Sequence, residues 1–163
     1  MSTQLFSGNA MPETPARADM AFDIVTADWN SDITYALRDG AISTLRSAGI
    51  PDVNIRRWSV PGTVELVNIA ALLARPDHKT DGIIVIGCVI RGDTPHFDYV
   101  CEHTTNGVAI INARGETPVT FGVLTVNTLE QAQQRAGGDL GNKGAEAAAT
   151  AIAMANLREK IKN

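Results

Sequence analysis

Gly82-Ile83-Ile84-Val85-Ile86-Gly87-Cys88-Val89-Ile90 is an uncharged run with no alternation of polar and apolar positions. A helix of that length would be short, and a strand with one wet face would alternate. A short, continuously apolar run bounded by glycine suits a central strand covered on both faces, the habit of parallel sheets. Working outward, Arg91 to His96 forms a polar loop, and Phe97 to Ala113 reads as a helix. Pro118 to Val126 is a further strand. On the other side, Val64 to Ala74 is apolar at helical spacing and is stopped by Arg75-Pro76-Asp77. Before it, Val53 to Val60 reads as a strand with Val53 and Ile55 on one face, broken by Pro61-Gly62. Ile33, Leu37, Ala41 and Leu45 repeat every four residues in a helix that Asp28 to Ser31 can cap and Gly49-Ile50-Pro51 ends. Phe22 to Ala27 is the first strand. Beyond the fourth strand come a short helix from Thr128, its cap, to Ala136, a glycine-rich bend over 137–141, and an Ala-dominated helix from Lys143 to Lys162. Strand and helix alternate four times. This predicts an α/β fold of three layers, a four-stranded parallel sheet with right-handed crossovers and helices on both faces.

The 163 residues fit one domain, placed at 21–163, with a period-free arm rich in Pro, Ser, Thr and Ala over 1–20. Net charge is −4, with 14 Lys and Arg against 18 Asp and Glu. A nucleic-acid or anionic-membrane surface needs the opposite balance, so neither partner is expected. No window approaches the roughly 20 apolar residues of a membrane helix, and the first 20 residues lack the apolar core of a secretory signal. Two cysteines, Cys88 and Cys101, are too few for a disulfide framework and predict reduced thiols in the cytoplasm. The Ala-rich last helix suits close packing, either within the chain or against another subunit.

Ligands of open parallel sheets bind beyond the carboxyl ends of the strands. The loops 28–31, 61–65, 91–96 and 127–128 lie there. The third is the most informative. Gly92 lets the backbone approach a ligand, Thr94 can cap the next helix, and a helix start offers free N–H groups to an anion such as phosphate. His96 titrates near neutral pH and can move a proton, although a loop histidine is also an ordinary surface residue. Trp29 offers a flat face to a heterocycle or plugs the sheet end. Arg135 and Lys143 flank the glycine bend and, taken alone, are a solvated basic pair. Cys88, His96, Cys101 and His103 lie close in sequence but lack zinc spacing, and Cys101 and His103 do not share a helix face, so no metal is expected. No G-x-G-x-x-G follows the first strand, which removes the dinucleotide fingerprint. Ala27-Asp28-Trp29-Asn30-Ser31 is not glycine-rich, which argues against a flavin-mononucleotide carrier.

Several segments in order carry a resemblance. They are Val60-Pro61-Gly62-Thr63-Val64-Glu65, Gly87-Cys88-Val89-Ile90-Arg91-Gly92-Asp93-Thr94-Pro95-His96-Phe97, Phe121-Gly122-Val123-Leu124-Thr125, Glu130-Gln131-Ala132 and Gly141-Asn142-Lys143-Gly144-Ala145-Glu146-Ala147-Ala148. Together they resemble the 6,7-dimethyl-8-ribityllumazine synthase family, which acts one step before the end of riboflavin synthesis. The match runs from about Phe22 to Leu157. The resemblance implies a flavodoxin-like fold and the condensation of 5-amino-6-(D-ribitylamino)uracil with 3,4-dihydroxy-2-butanone 4-phosphate, with no cofactor.

The same resemblance implies the residue roles. Trp29 stands where an aromatic, commonly Phe, stacks on the pyrimidine. Thr63, Val64 and Glu65 hold the uracil and its ribityl chain, and Cys88, Val89 and Ile90 line the same substrate. Asp93, Thr94 and Arg135 bind phosphate, and His96 is the proton donor. Phe121 enters from a neighbouring subunit. Lys143 and Glu146 line the site less directly. The family usually has an aromatic at Val64, Pro at Val67 and often Arg-Phe-Asn at Asp28-Trp29-Asn30. The resemblance implies self-association into pentamers and, since the bend 136–142 has the length found in shell-forming members, closure into a shell of about 60 subunits, with a bare pentamer or decamer as the alternative. The alternatives are a non-catalytic lumazine- or flavin-binding shell protein of the same fold and a riboflavin synthase of the archaeal type.

Overall fold

The computed structural model describes residues 16–162. The apolar run forms strand β3 (Gly82–Ile90), buried at its first seven positions. Beside it lie β1 (Phe22–Ala27), β2 (Ile55–Val60) and β4 (Val119–Val126), all parallel, in the order β2-β1-β3-β4. β1 and β3 are the inner strands, which explains why they lack alternation. The helices are α1 (Ser31–Ser47), α2 (Leu66–Leu73), α3 (His96–Ala113), α4 (Leu129–Arg135) and α5 (Lys143–Lys162). The fold is the expected three-layer, flavodoxin-like α/β/α arrangement.

The period of two within β3 divides the core. Ile84, Ile86 and Cys88 pack with Phe22, Ile24, Leu124 and Val126 under α1 and α5. Ile83 and Val85 pack with Val25, Val119 and Val123 under α2 and α3. The spacing predicted for α1 holds, with Ile33, Leu37, Ala41 and Leu45 all buried. The helix ends as Gly49 turns left-handed at φ 93. Its N–H bonds to Arg46 O and that of Ile50 to Leu45 O, a Schellman ending. Thr128 caps α4 as predicted, its side chain accepting from Gln131 N.

α5 lies against α1 through small residues. A Cβ on Gly144 would sit 1.9 Å from the carbonyl oxygen of Leu37, a backbone atom that cannot rotate away. Gly144→Ala is therefore expected to lower stability by about 3 kcal/mol, the upper part of the overpacking range. Thermal unfolding reads this as a fall of roughly 6–12 °C for a domain of this size. An unchanged midpoint would mean that the two helices slide apart freely.

Three expectations are corrected. Val53 is not in β2. Residues Asp52–Asn54 form a 3₁₀ turn, and Val53 is 85% exposed. Asp52 accepts hydrogen bonds from Arg46 and Arg57, which fastens the turn to α1 and β2. α2 starts at Leu66, since 62–65 is spent turning the chain off β2. The bend after α4 is a small antiparallel hairpin of β5 (Ala136–Gly138) and β6 (Gly141–Asn142), with φ 115 at Gly137 and 75 at Gly141. The arm expected over 1–20 lies outside the described residues up to 15. Its inner end is packed, with Met20 1% exposed in the core and Arg17 paired with Glu159.

Candidate active site

The loops at the carboxyl ends of β1 and β2 are tied together by the backbone, and a side chain ties them to β3. Asp28 N–H donates to Val60 O (2.8 Å), and Trp29 N–H donates to Pro61 O (3.1 Å). The Asn30 amide donates to Cys88 O across the sheet (2.9 Å). Trp29 is left 74% exposed above these loops. The Asp28 carboxylate accepts from the hydroxyls of Ser59 and Tyr35. These two bonds, with Ser59 the stronger influence, hold its pKa below the ordinary value.

Thr63 is buried on the flank of β3, where only glycine leaves it space. A Cβ on Gly87 would meet Thr63 Oγ1 at 2.9 Å. Val64 is half-buried and Glu65 is exposed. Cys88 is buried, and desolvation pushes its thiol up to about 11. It is a neutral wall atom at neutral pH, since the nucleophile is the thiolate. Val89 and Ile90 are half-buried beside it.

The loop after β3 is anchored by Arg91. Its N–H reaches Val126 O (2.9 Å), its guanidinium pairs with Asp98 (2.9 Å), and it covers the Phe97 ring at 4.1 Å. Gly92, Asp93, Thr94 and His96 are left exposed. Thr94 does not cap α3, contrary to expectation. The helix begins at His96 with Pro95 at its cap position and no side-chain cap bond. Proline's fixed φ starts the turn, and it disfavours a helical residue before it. Asp98 N–H bonds to Pro95 O at 3.0 Å, so the loop's own side chains remain available.

The remaining predicted residues lie elsewhere. Phe121, Arg135 and Lys143 line a groove of about 990 Å³ on the free side of β4, between α5 and the end of α3. Neither Trp29, Glu65, Cys88 nor His96 lines it. Phe121 is 40% exposed, and Met154, Leu157 and Ile161 add exposed apolar surface. Lys143 is paired with Glu146 (2.7 Å). Arg135 bonds only Gln131 O (3.0 Å) and has no carboxylate partner among the described residues. The structure thus gathers the candidate residues into two groups: Trp29, 63–65 and 88–96 at the sheet end, and Phe121, Arg135 and Lys143 in the groove. The bridging role of Asn30 is absent from the sequence expectations. The one signal for it is the tolerance of Asn for left-handed backbone in a loop.

No group of three or more His, Cys, Asp or Glu among the described residues could hold a metal ion. No described helix is long and apolar enough to cross a membrane.

A parallel α/β domain with an exposed tryptophan, a polar loop and a histidine at its strand ends belongs to the sheet folds that handle small molecules beyond the carboxyl ends of their strands. Residues 19–159 match the family described as 6,7-dimethyl-8-ribityllumazine synthase, and the chain belongs to that family. It is 52% identical over 147 residues to the 6,7-dimethyl-8-ribityllumazine synthase of Phocaeicola vulgatus, covering 90% of this chain and 87% of the relative. It is 54% identical over 135 residues to that of Bacteroides fragilis, covering 83% and 94%. It is 51% identical over 143 residues to that of Porphyromonas gingivalis, covering 88% of each.

Proposed function

We propose that the chain is the transferase that condenses 5-amino-6-(D-ribitylamino)uracil with 3,4-dihydroxy-2-butanone 4-phosphate to 6,7-dimethyl-8-ribityllumazine, phosphate and water. The family match over 19–159 carries this reading. The amine adds to the ketone and loses water to form an imine. Phosphate then leaves, the enol rearranges, and the second nitrogen closes the ring with loss of water. Two adjacent reactants can do much of this themselves, and proximity can supply roughly 7–11 kcal/mol. Trp29 would stack on the pyrimidine, Thr63 to Glu65 and Cys88 to Ile90 would hold the uracil and ribityl chain, and Asp93, Thr94 and Arg135 would take the phosphate. The test is growth of the lumazine absorbance band when the purified protein meets both substrates. A flat trace would leave the shell-protein alternative.

His96 is the proton shuttle in this scheme, an exposed imidazole with no hydrogen-bond partner among the described residues to immobilise it. His96→Ala is expected to slow turnover about 10–100-fold without abolishing it, because general acid–base help is only one contribution beside proximity. Unchanged turnover would remove His96 from the mechanism.

The groove residues support a site shared between subunits. Phe121, Arg135 and Lys143 line one surface, apart from Trp29 and His96, and an apolar groove beside an edge strand is a surface that a second copy can cover. Pentamers would complete the site, and a closed shell of about 60 subunits is the further step. Light scattering distinguishes the outcomes. A particle near about 1 MDa supports the shell, about 90 kDa supports a pentamer alone, and an active 17.3 kDa monomer overturns sharing. We place the protein in the cytoplasm, in keeping with Cys88 and Cys101 as free thiols.

A further inference from the structure

The two sides of β3 end at different heights. Its ladder with β4 continues to Ile90↔Val126, while its ladder with β1 ends at Thr26↔Ile86. Past that point β1 has parted from β3 while still pairing with β2 at Ala27↔Val60, and the chain runs through Asp28 and Trp29 into α1. Asn30 bridges the gap. Its side-chain amide donates to Cys88 O at 2.9 Å, doing for β3 what a further β1 residue would have done.

The backbone of Asn30 is arranged for this reach. It has φ 60 and ψ 45, the one positive φ at a non-glycine residue among the described residues. Its carbonyl starts α1 by accepting from Ile33 N (2.9 Å) and Thr34 N (3.0 Å). An Asn at a helix start ordinarily spends its side chain on the second or third N–H of its own helix. Asn30 makes no such bond. A strained, left-handed residue that forgoes its own helix to hold a neighbouring strand is an outlier of the kind found where geometry serves a site.

Trp29 lies between two fastenings. On one side Asp28 is fixed to Val60, Ser59 and Tyr35, and on the other Asn30 is fixed to Cys88. We infer that Asn30 is a positioning residue that sets the spacing between the Trp29 ring and the Cys88–Ile90 strand end, and through that spacing the affinity for the uracil substrate. The inference rests on the reading that Trp29 stacks on the pyrimidine.

The discriminating variant is Asn30→Asp. Aspartate keeps the size, tolerates left-handed backbone, and is favoured at a helix N-terminus. A purely structural role therefore predicts an unchanged protein. The carboxylate cannot donate to Cys88 O, so the positioning role predicts a specific loss. In a Trp58→Phe background, the anisotropy of Trp29 emission without substrate should fall. The KM for the uracil should rise about tenfold, the worth of one hydrogen bond, while the KM for the butanone phosphate stays within about twofold on the same argument. An unchanged uracil KM overturns the inference. Trp29→Ala then tells which part failed. If Trp29→Ala raises the uracil KM, stacking stands and Asn30 does not position it; if Trp29→Ala leaves the KM alone, the stacking reading itself is wrong. Should Asn30→Asp fail to fold, Asn30→Gly is read the same way, since glycine also keeps the backbone angle and lacks the donor.

Discussion

Asp23→Ala is expected to lower stability by about 3–5 kcal/mol, the usual cost of removing one partner from a buried ion pair. Asp23 is 0% exposed at the amino end of β1, opposite the candidate site. Arg56 grips it with two bonds of 2.9 and 2.8 Å, the Trp58 indole donates at 2.7 Å, and His78 lies at 3.0 Å. These partners join β1, β2 and the segment leading into β3. Burial on its own would raise the pKa of Asp23. Hydrogen bonds from Arg56, Trp58, His78 and Thr80 outweigh it and hold the carboxyl below its ordinary 3.8. A depressed folded pKa contributes stability that is full above about pH 4 and is lost as the pH falls through the lower folded value. The gap between native protein and variant should therefore be wide at pH 7 and narrow below the unfolded value of 3.8. Urea unfolding at the two pH values measures it. A gap independent of pH would mean that the loss is one of packing and not of charge.

The parts of the fold legible in the sequence are those decided locally. β3 could be read because an unbroken apolar run has one economical place in an α/β sheet. The ends of α1 and α4 could be read because Gly49 and Thr128 do there what their chemistry favours. The misread places are those where a distant partner decides. Val53 looks like a strand residue until Arg46 and Arg57 draw Asp52 into a turn. Thr94 looks like a cap, but Pro95 after it sets the helix start. The hairpin over 136–142 depends on Asn142. Its amide donates to Ala36 O in α1, and its side-chain oxygen accepts from Ala145 N. A Cβ on Gly40 would lie 2.4 Å from that side chain. No period or propensity encodes such a contact. The same holds at the candidate site. The residue types came from motifs, but their division between the sheet end and the β4 groove is a property of the folded chain.

Arg135→Ala is expected to raise the apparent KM for the butanone phosphate about 100-fold or more, the worth of two charge-assisted hydrogen bonds at roughly 1.5–3 kcal/mol each. The KM for the uracil, which carries no dianion, should change little. Arg135 is suited to this because no carboxylate among the described residues engages it, whereas Lys143 is already paired with Glu146. Equal effects on both substrates would count against a phosphate role. Mixing then tests where the site is assembled. Within one chain His96 stands at the sheet end and Arg135 in the groove. If neighbouring subunits bring the two together, His96→Ala and Arg135→Ala chains co-expressed in equal amounts form some interfaces with both groups intact. Random assembly makes these about a quarter of all interfaces in a ring. At a low concentration of the butanone phosphate, where both parent variants are nearly silent, mixed rings should recover about a quarter of the native rate on this count. If each chain carries its own complete site, every site lacks one group and nothing is recovered. The mixture thus separates a shared site from a private one by a rate, with no further assumption about how many subunits the assembly contains.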